Sequence, residues 1–252
     1  YITKMKKIID TGVWNIRSKY GLVFEGSGPR GEANCAGDIV RAEILLALHG
    51  YPEYFNDVER IVRNHLLASQ FLNPYITTGP AGATIPKDTN DNIYTNAAIR
   101  ACGGFAFTLP NDLVDLSYVD LAADLVEGAT SGLIDVWNAI LTDEGSALRV
   151  NLLFSKTTPV IEIRSYIPAQ GRVELVVKRS GDLYVRIPNY VNTAQLSLSV
   201  NGGPATKQMS GSYLRIQQLA NPSTVVIEFE QTLVQDQETI GGTTYDVQWL
   251  GD

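Results

Sequence analysis

Residues 147–178 read ALRVNLLFSKTTPVIEIRSYIPAQGRVELVVK. Within them Leu148, Val150, Leu152 and Phe154 hold alternate positions, as do Ile161 and Ile163, and then Val173, Leu175 and Val177. A period of two sends successive side chains to opposite faces, which is the spacing of a half-buried strand. The same alternation returns at 183–187, 196–200, 214–216, 225–229 and 245–249, each run bounded by Gly, Pro, Asn or Ser. Short strands at turn-punctuated spacing predict an antiparallel β-sandwich. Asn201-Gly202 is the strongest hairpin signal among them, because both positions tolerate the positive φ that a tight turn needs.

Upstream of Gly145 the period is 3.6. In 52–71, Tyr54, Phe55, Val58, Ile61, Val62, His65, Leu66 and Ser69 follow i, i+3, i+4 spacing, while Glu53, Asp57, Arg60 and Asn64 lie elsewhere. The run 38–48 is apolar around most of its circumference, as suits a helix buried among others. Gly50 and Pro52 separate the two, and further helices are predicted over 92–102 and 132–141. Long Gly-, Pro-, Asn- and Asp-rich stretches run between them, notably 73–92, and loops of that length are usually functional or disordered. The chain therefore reads as α then β, with residues 1–145 helical and 146–252 a β-sandwich.

At 252 residues and 44% hydrophobic content, the chain has enough apolar material for one large core or two modest ones. A net charge of −7 leaves no surplus of Lys and Arg to neutralise a phosphate backbone, so nucleic acid is not an expected partner. No stretch approaches the roughly 18 apolar residues of a membrane span, and no charged start followed by an apolar run marks a signal peptide. The chain opens on Tyr1 with Ile2, Met5, Ile8 and Ile9 already at helical spacing, as expected of a segment from a larger protein with any targeting sequence upstream.

The densest group of reactive side chains is EGSGPRGEANCAGDIVR at 25–41, which offers Glu25, Glu32, Cys35, Asp38 and Arg41. A glycosidase needs two carboxylates of different protonation state flanking the scissile bond, and Glu25 and Glu32 are chemically suited to that work. The competing reading is structural: glutamates in a Gly-rich loop are usually solvated, and Asp38 near a helix start stabilises the helix dipole. Cys35 and Cys102 with Glu32 could contribute to a metal site, although zinc takes three or four protein ligands, and the chain has two cysteines and two histidines in all. His65 on its apolar stripe reads as a core residue, and His49 beside Gly50 suits a helix C-terminus. No HExxH, Walker loop, Gly-x-Ser-x-Gly or dinucleotide-binding glycine pattern is present.

Several stretches together resemble the family 127 glycoside hydrolases, the β-L-arabinofuranosidase-like proteins. They are YPEYFNDVERIVRNHLLASQF (51–71), NCAGDIVRAEILLAL (34–48), GGFAFTLPND (103–112), the strand region from 147 through LYVRIPNYV and LSVNGGP, and the terminal YDVQWLGD. The resemblance covers about 31–252 and rests on the order and spacing of these pieces. It implies helices from an (α/α)6-barrel-like half followed by an antiparallel β-sandwich, and retaining hydrolysis of arabinofuranosyl or related sugars. It further implies a zinc-held cysteine nucleophile with a glutamate acid/base. On that basis Glu25 matches the acid/base, and Glu32 and Cys35 match zinc ligands, with the Glu-to-Cys spacing one residue longer than in the family. Alignment on Trp137 puts Ala123, Asp124 and Leu125 where the family has adjacent cysteines, so Asp124 would be the nucleophile.

Two functional expectations follow. One is a glycoside hydrolase, or its C-terminal portion, acting on an arabinose-containing glycan. The other is a pseudoenzyme, a non-catalytic relative that binds glycan or serves in assembly. The expected partners are a carbohydrate and either a second copy of the chain or an upstream domain of the same protein. Tyr184, Tyr190, Tyr213 and Tyr245 are candidates for a sugar-stacking platform, with core and cross-strand packing as the competing reading.

Overall fold

The structure is a computed structural model that describes residues 1–24, 31–70, 72, 103–105, 125–240 and 242–251. It holds few helices and is mostly sheet, with the helices first in the chain. Among the described residues the α-helices are α1 (Ile2–Gly12), α2 (Ala33–Leu48), α3 (Tyr54–Ile61) and α4 (Leu125–Ala139). The chain divides into two compact units: Tyr1–Glu43 with Arg60–Ile134 and Ile240–Thr243, and Ile44–Glu59 with Asp135–Thr239 and Thr244–Asp252. The expected helix over 92–102 lies outside the described residues.

The apolar stripe read from 52–71 is buried at all eight positions, from Tyr54 to Ser69. The regular α-helix is nevertheless shorter than predicted. It ends at Ile61 and passes into a π-helical turn, Val62–Leu66, closed by the Leu67 N–H donating to the Val62 carbonyl at 2.9 Å. The other two helices start earlier than predicted, α2 at Ala33 rather than 38 and α4 at Leu125 rather than 132. Both extensions contain a glycine, Gly37 in α2 and Gly128 in α4, and Gly132 follows in α4. In the first unit they serve close packing: a Cβ on Gly37 would lie 2.2 Å from the Gly128 carbonyl oxygen, and one on Gly132 would lie 2.8 Å from Gly37 Cα. Backbones approach this closely only where neither residue carries a side chain.

Among the described residues thirteen strands follow. They are β1 (Leu141–Asp143), β2 (Ala147–Val150), β3 (Lys156–Thr157), β4 (Ile161–Ser165), β5 (Arg172–Val177), β6 (Gly181–Arg186), β7 (Ser197–Val200), β8 (Gly203–Pro204), β9 (Gln208–Ser210), β10 (Tyr213–Leu219), β11 (Ser223–Glu228), β12 (Leu233–Ile240) and β13 (Thr243–Leu250). A five-stranded sheet has the order β1-β2-β6-β10-β9, a six-stranded sheet β3-β4-β5-β11-β7-β8, and β12 pairs with β13. Each larger sheet buries one face. Leu148, Val150, Leu183, Val185, Leu214 and Ile216 line the first, and Ile161, Ile163, Val173, Leu175, Val177, Val225 and Ile227 line the second. That alternation is the one read from the sequence. The Asn201-Gly202 turn forms as expected, with φ of 52° and 79°, and joins β7 to β8. The sheets are not wholly antiparallel: β2 and β6 run parallel, Leu148 opposite Leu183 and Val150 opposite Val185.

One polar group sits at the centre of the second unit. Arg186, on β6, is 0% exposed, and every nitrogen of its guanidinium has an acceptor. Nε donates to the Asn151 carbonyl at 2.5 Å, Nη1 to Asn56 Oδ1 at 2.6 Å, and Nη2 to the Glu59 carboxylate. Glu59, 1% exposed, accepts the Leu153 N–H on its other oxygen. Asn151 also donates to the Ala139 carbonyl, an orphan at the end of α4, at 2.9 Å and accepts the Tyr213 hydroxyl at 2.8 Å. A buried charge without its partner is strongly destabilising, by about 3–5 kcal/mol. Arg186→Leu is therefore expected to lower unfolding stability by about that amount, read as a shift of the urea midpoint at unchanged slope. Asn56→Ala, which leaves one donor of the buried guanidinium without its acceptor, is expected to cost about 2 kcal/mol.

Candidate functional site

The start of α2 brings together two of the residues singled out in the sequence. Gly31 bridges Phe24, and the Glu32 N–H donates to the Val23 carbonyl at 2.9 Å, so the chain enters the helix from a short antiparallel pairing. The Glu32 carbonyl accepts the Ala36 N–H at 3.0 Å, which makes Glu32 the N-cap. Its carboxylate turns back on the helix: Oε1 accepts the Asn34 N–H at 3.0 Å, and Oε2 accepts the Cys35 N–H. These are N–H groups that the helix cannot satisfy internally, and a negative charge there complements the helix dipole. Glu32 is 3% exposed, and Cys35, one turn in, is half-buried. Sequence reasoning placed the helix start at Asp38; that residue is exposed and pairs with Arg41 at 3.9 Å, a surface contact of small weight.

Glu25, Asp124 and Cys102 lie outside the described residues. Asp124 immediately precedes α4 in sequence, and in the first unit α4 meets α2 beside the candidate pair, where a Cβ on Gly128 would collide with the Asn34 side chain. As a metal site, Glu32 and Cys35 supply two donors, half of a tetrahedral set. Among the described residues no group of three or more His, Cys, Asp or Glu comes together. The described donors therefore do not by themselves fit a zinc ion.

His65 is the residue whose part sequence reasoning missed. It is buried, as its place on the stripe implied, and it is also a backbone acceptor: the Val23 N–H donates to its Nδ1 at 3.2 Å. The ring proton is therefore on Nε2, which has no hydrogen-bond partner among the described residues. Burial lowers its pKa from 6.5 to about 4. The available signal was a lone imidazole on an otherwise largely apolar stripe. His49, by contrast, is exposed and has its Nδ1 2.7 Å from the Leu45 carbonyl at the end of α2.

The four tyrosines do not share a platform. Tyr213 is buried. Tyr184 lies under the Arg149 guanidinium at 4.5 Å and near that of Arg215 at 5.6 Å, and Tyr190 packs edge-on against Phe229 at 6.1 Å. Only Tyr245 of the four is exposed. Arg149 and Arg215 are in turn held by Glu144 at 2.9 Å and Asp182 at 2.7 Å, so the ladder across β2, β6 and β10 is a self-satisfied cross-strand cluster.

The lowered pKa of His65 has a sign that can be tested. Between pH 6.5 and 4 the unfolded chain binds a proton on this imidazole that the folded chain does not. Stability therefore falls as pH falls through that window, and this group contributes no slope above or below it. The full loss is about 3 kcal/mol. Urea unfolding of the chain at pH 7, 6 and 5 is expected to show this decline, and His65→Asn is expected to flatten it.

Comparison with known proteins adds the family context. Residues 149–230 match the family model described as β-L-arabinofuranosidase, GH127 middle domain. No curated protein matches the sequence. Among solved structures, a GH127 β-arabinofuranosidase aligns over 98% of this chain and 43% of its own, with a TM-score of 0.63 and 14% identity. A GH127 β-L-arabinofuranosidase from Geobacillus stearothermophilus T6 aligns over 93% of this chain and 40% of its own, at a TM-score of 0.55 and 14% identity. A protein described as a glycoside hydrolase aligns over 90% and 38%, at 0.57 and 14%. The chain thus spans about two fifths of the length of these structures, and at such identity the likeness speaks for the fold. Over residues 149–230 the chain is similar to the middle domain of the GH127 β-L-arabinofuranosidases, and its fold is similar to that of solved GH127 structures.

Proposed function

We propose that this chain is the C-terminal portion of a glycoside hydrolase acting on arabinofuranosyl or related sugars. Residues 1–145 would contribute helices to an (α/α)6-type barrel, and 146–252 would form its β-sandwich. The observation that carries the reading is the GH127 middle-domain match over 149–230. It is supported by the start of α2, where a buried carboxylate and a thiol sit one turn apart against the helix that Asp124 precedes. In this reading Glu25 is the general acid/base and Asp124 the nucleophile of a retaining reaction, which asks for carboxyl groups roughly 5 Å apart. Glu32, with both oxygens engaged by helix N–H groups, holds the α2 start rather than moving a proton. The partners are a carbohydrate and either a second copy of the chain or an upstream domain of the same protein.

The test is hydrolysis of nitrophenyl glycosides, α- and β-arabinofuranosides first, by folded protein. Turnover of an arabinofuranoside is expected, with Glu25→Gln and Asp124→Asn each lowering kcat by about a hundredfold or more. Folded protein with no turnover on any substrate would favour the second reading, a non-catalytic glycan-binding or structural relative. That reading draws on the carboxylate of Asp124 standing where the family resemblance calls for a thiol.

Zinc belongs to the proposal only as an ion completed from outside the described residues, with Glu32 and Cys35 as two ligands and Cys102 the remaining thiol of the chain. Elemental analysis of protein loaded with zinc and dialysed is expected to find about one equivalent, lost in Cys35→Ser and in Cys102→Ser. A chain that retains none would remove zinc from this reading and leave the carboxylates.

A further inference from the structure

The Glu32 cap does not stand alone. Within the first unit a continuous run of hydrogen bonds joins it to the π-helical turn. The Val23 N–H donates to His65 Nδ1 at 3.2 Å, the Glu32 N–H donates to the Val23 carbonyl at 2.9 Å, and the Glu32 carboxylate accepts the Asn34 and Cys35 N–H groups. Val23 is thus held on both sides of its own peptide groups, by an imidazole in front and by the cap residue behind. It is 0% exposed, so neither partner can be replaced by bulk water.

The neighbouring residue of the turn makes a second attachment, Asn64 Nδ2 donating to the Tyr20 carbonyl at 2.9 Å. Tyr20 lies in the tight loop that reverses the chain before Val23, where Ser18 Oγ accepts the Tyr20 and Leu22 N–H groups at 3.2 and 3.0 Å. The reversed chain is pinned by the Phe24 N–H on the Ile16 carbonyl at 2.7 Å and by the Arg17–Val23 bridge. Asn64 and His65 are consecutive, and both reach this one segment from a turn whose i→i+5 closure departs from the α-helical pattern. Such turns recur at functional sites. An α-helix continued through 62–66 would aim these two side chains differently, because each residue of a π turn is rotated from its α-helical direction.

We propose that His65 is a positioning residue: through Val23 it holds the Glu32–Cys35 start of α2 in the geometry that the candidate site requires. The proposal rests on the reading of Glu32 and Cys35 as part of that site. It predicts that the imidazole acts as a hydrogen-bond acceptor and not as a filler of volume. An apolar residue of similar size leaves the buried Val23 N–H without a partner, whereas an Asn presents an amide oxygen near the place of Nδ1.

The experiment is amide hydrogen exchange on the whole chain, resolved to residues, for wild type, His65→Leu and His65→Asn, with iodoacetamide alkylation of Cys35 followed by peptide mass spectrometry. His65→Leu is expected to speed exchange at Val23, Glu32, Asn34 and Cys35 by about tenfold over any change in β5 and β11, and to alter the alkylation rate of Cys35. His65→Asn is expected to restore both. If His65→Leu does not fold, His65→Gln, whose amide oxygen stands one methylene further out, takes its place and is expected to exchange faster than His65→Asn. Exchange that rises equally in β5 and β11, that stays unchanged over 23–35, or that Asn does not restore overturns the proposal. Local, Asn-rescued exchange in a chain that hydrolyses no glycoside supports the positioning and counts against the hydrolase reading, so the two failures are distinguishable.

Discussion

A guanidinium removed from water must find acceptors for all its donors, and the second unit is organised around meeting that demand for Arg186. Its acceptors come from two separate stretches of chain: Asn56 and Glu59 on α3, and the backbone of Asn151 just after β2. Desolvating the charge is costly, and the ion pair with Glu59 offsets that cost only when the geometry is complete. Residues 44–59, the 151–153 backbone and β6 therefore share one arrangement that satisfies the charge, and alternatives leave it unpaired in the interior. Asn151 extends the constraint to the end of α4 and to Tyr213 on β10.

The first unit uses the same device with weaker groups. Glu32 spends its carboxylate on the open N–H groups of α2, and His65 spends a ring nitrogen on the Val23 N–H. Each is a side chain able to do chemistry that is engaged in fixing backbone. Carboxylates and imidazoles lend themselves to this because they accept hydrogen bonds strongly, the carboxylate at two oxygens and the neutral imidazole at one nitrogen. Glycine at 37, 128 and 132 supplies the complementary feature, a place where two helices meet backbone to backbone.

Family and site inferences rest on different stretches of the chain. The matched region, 149–230, runs from β2 to just beyond β11, and none of Glu25, Glu32, Cys35 or Asp124 falls within it. The matched region therefore carries the similarity, while the candidate residues all precede it in sequence.

Local periodicity made much of the fold legible. Eight positions between Tyr54 and Ser69 were readable as a buried stripe, and the alternation of 173–177 and 225–229 as strands with one buried face, because burial of an apolar face imprints its period on neighbouring residues. Strand β12 escaped notice: its sequence, LVQDQETI, is exposed for most of its length, and an exposed strand has no apolar period to read. The early starts of α2 and α4 were hidden behind Gly37, Gly128 and Gly132, which signal a break unless another backbone is known to lie against them. Glu59 and Arg186 were legible only as charges; that they are partners across 127 residues, and that β2 lies parallel to β6, is decided by which surfaces meet. The sequence by itself determined the order of helices and strands and the face each one buries, since those depend on residues a few positions apart. The tertiary structure decided the buried polar pairs, the π turn at His65 and the capping work of Glu32, because a polar group's role is set by the partner that desolvation forces on it.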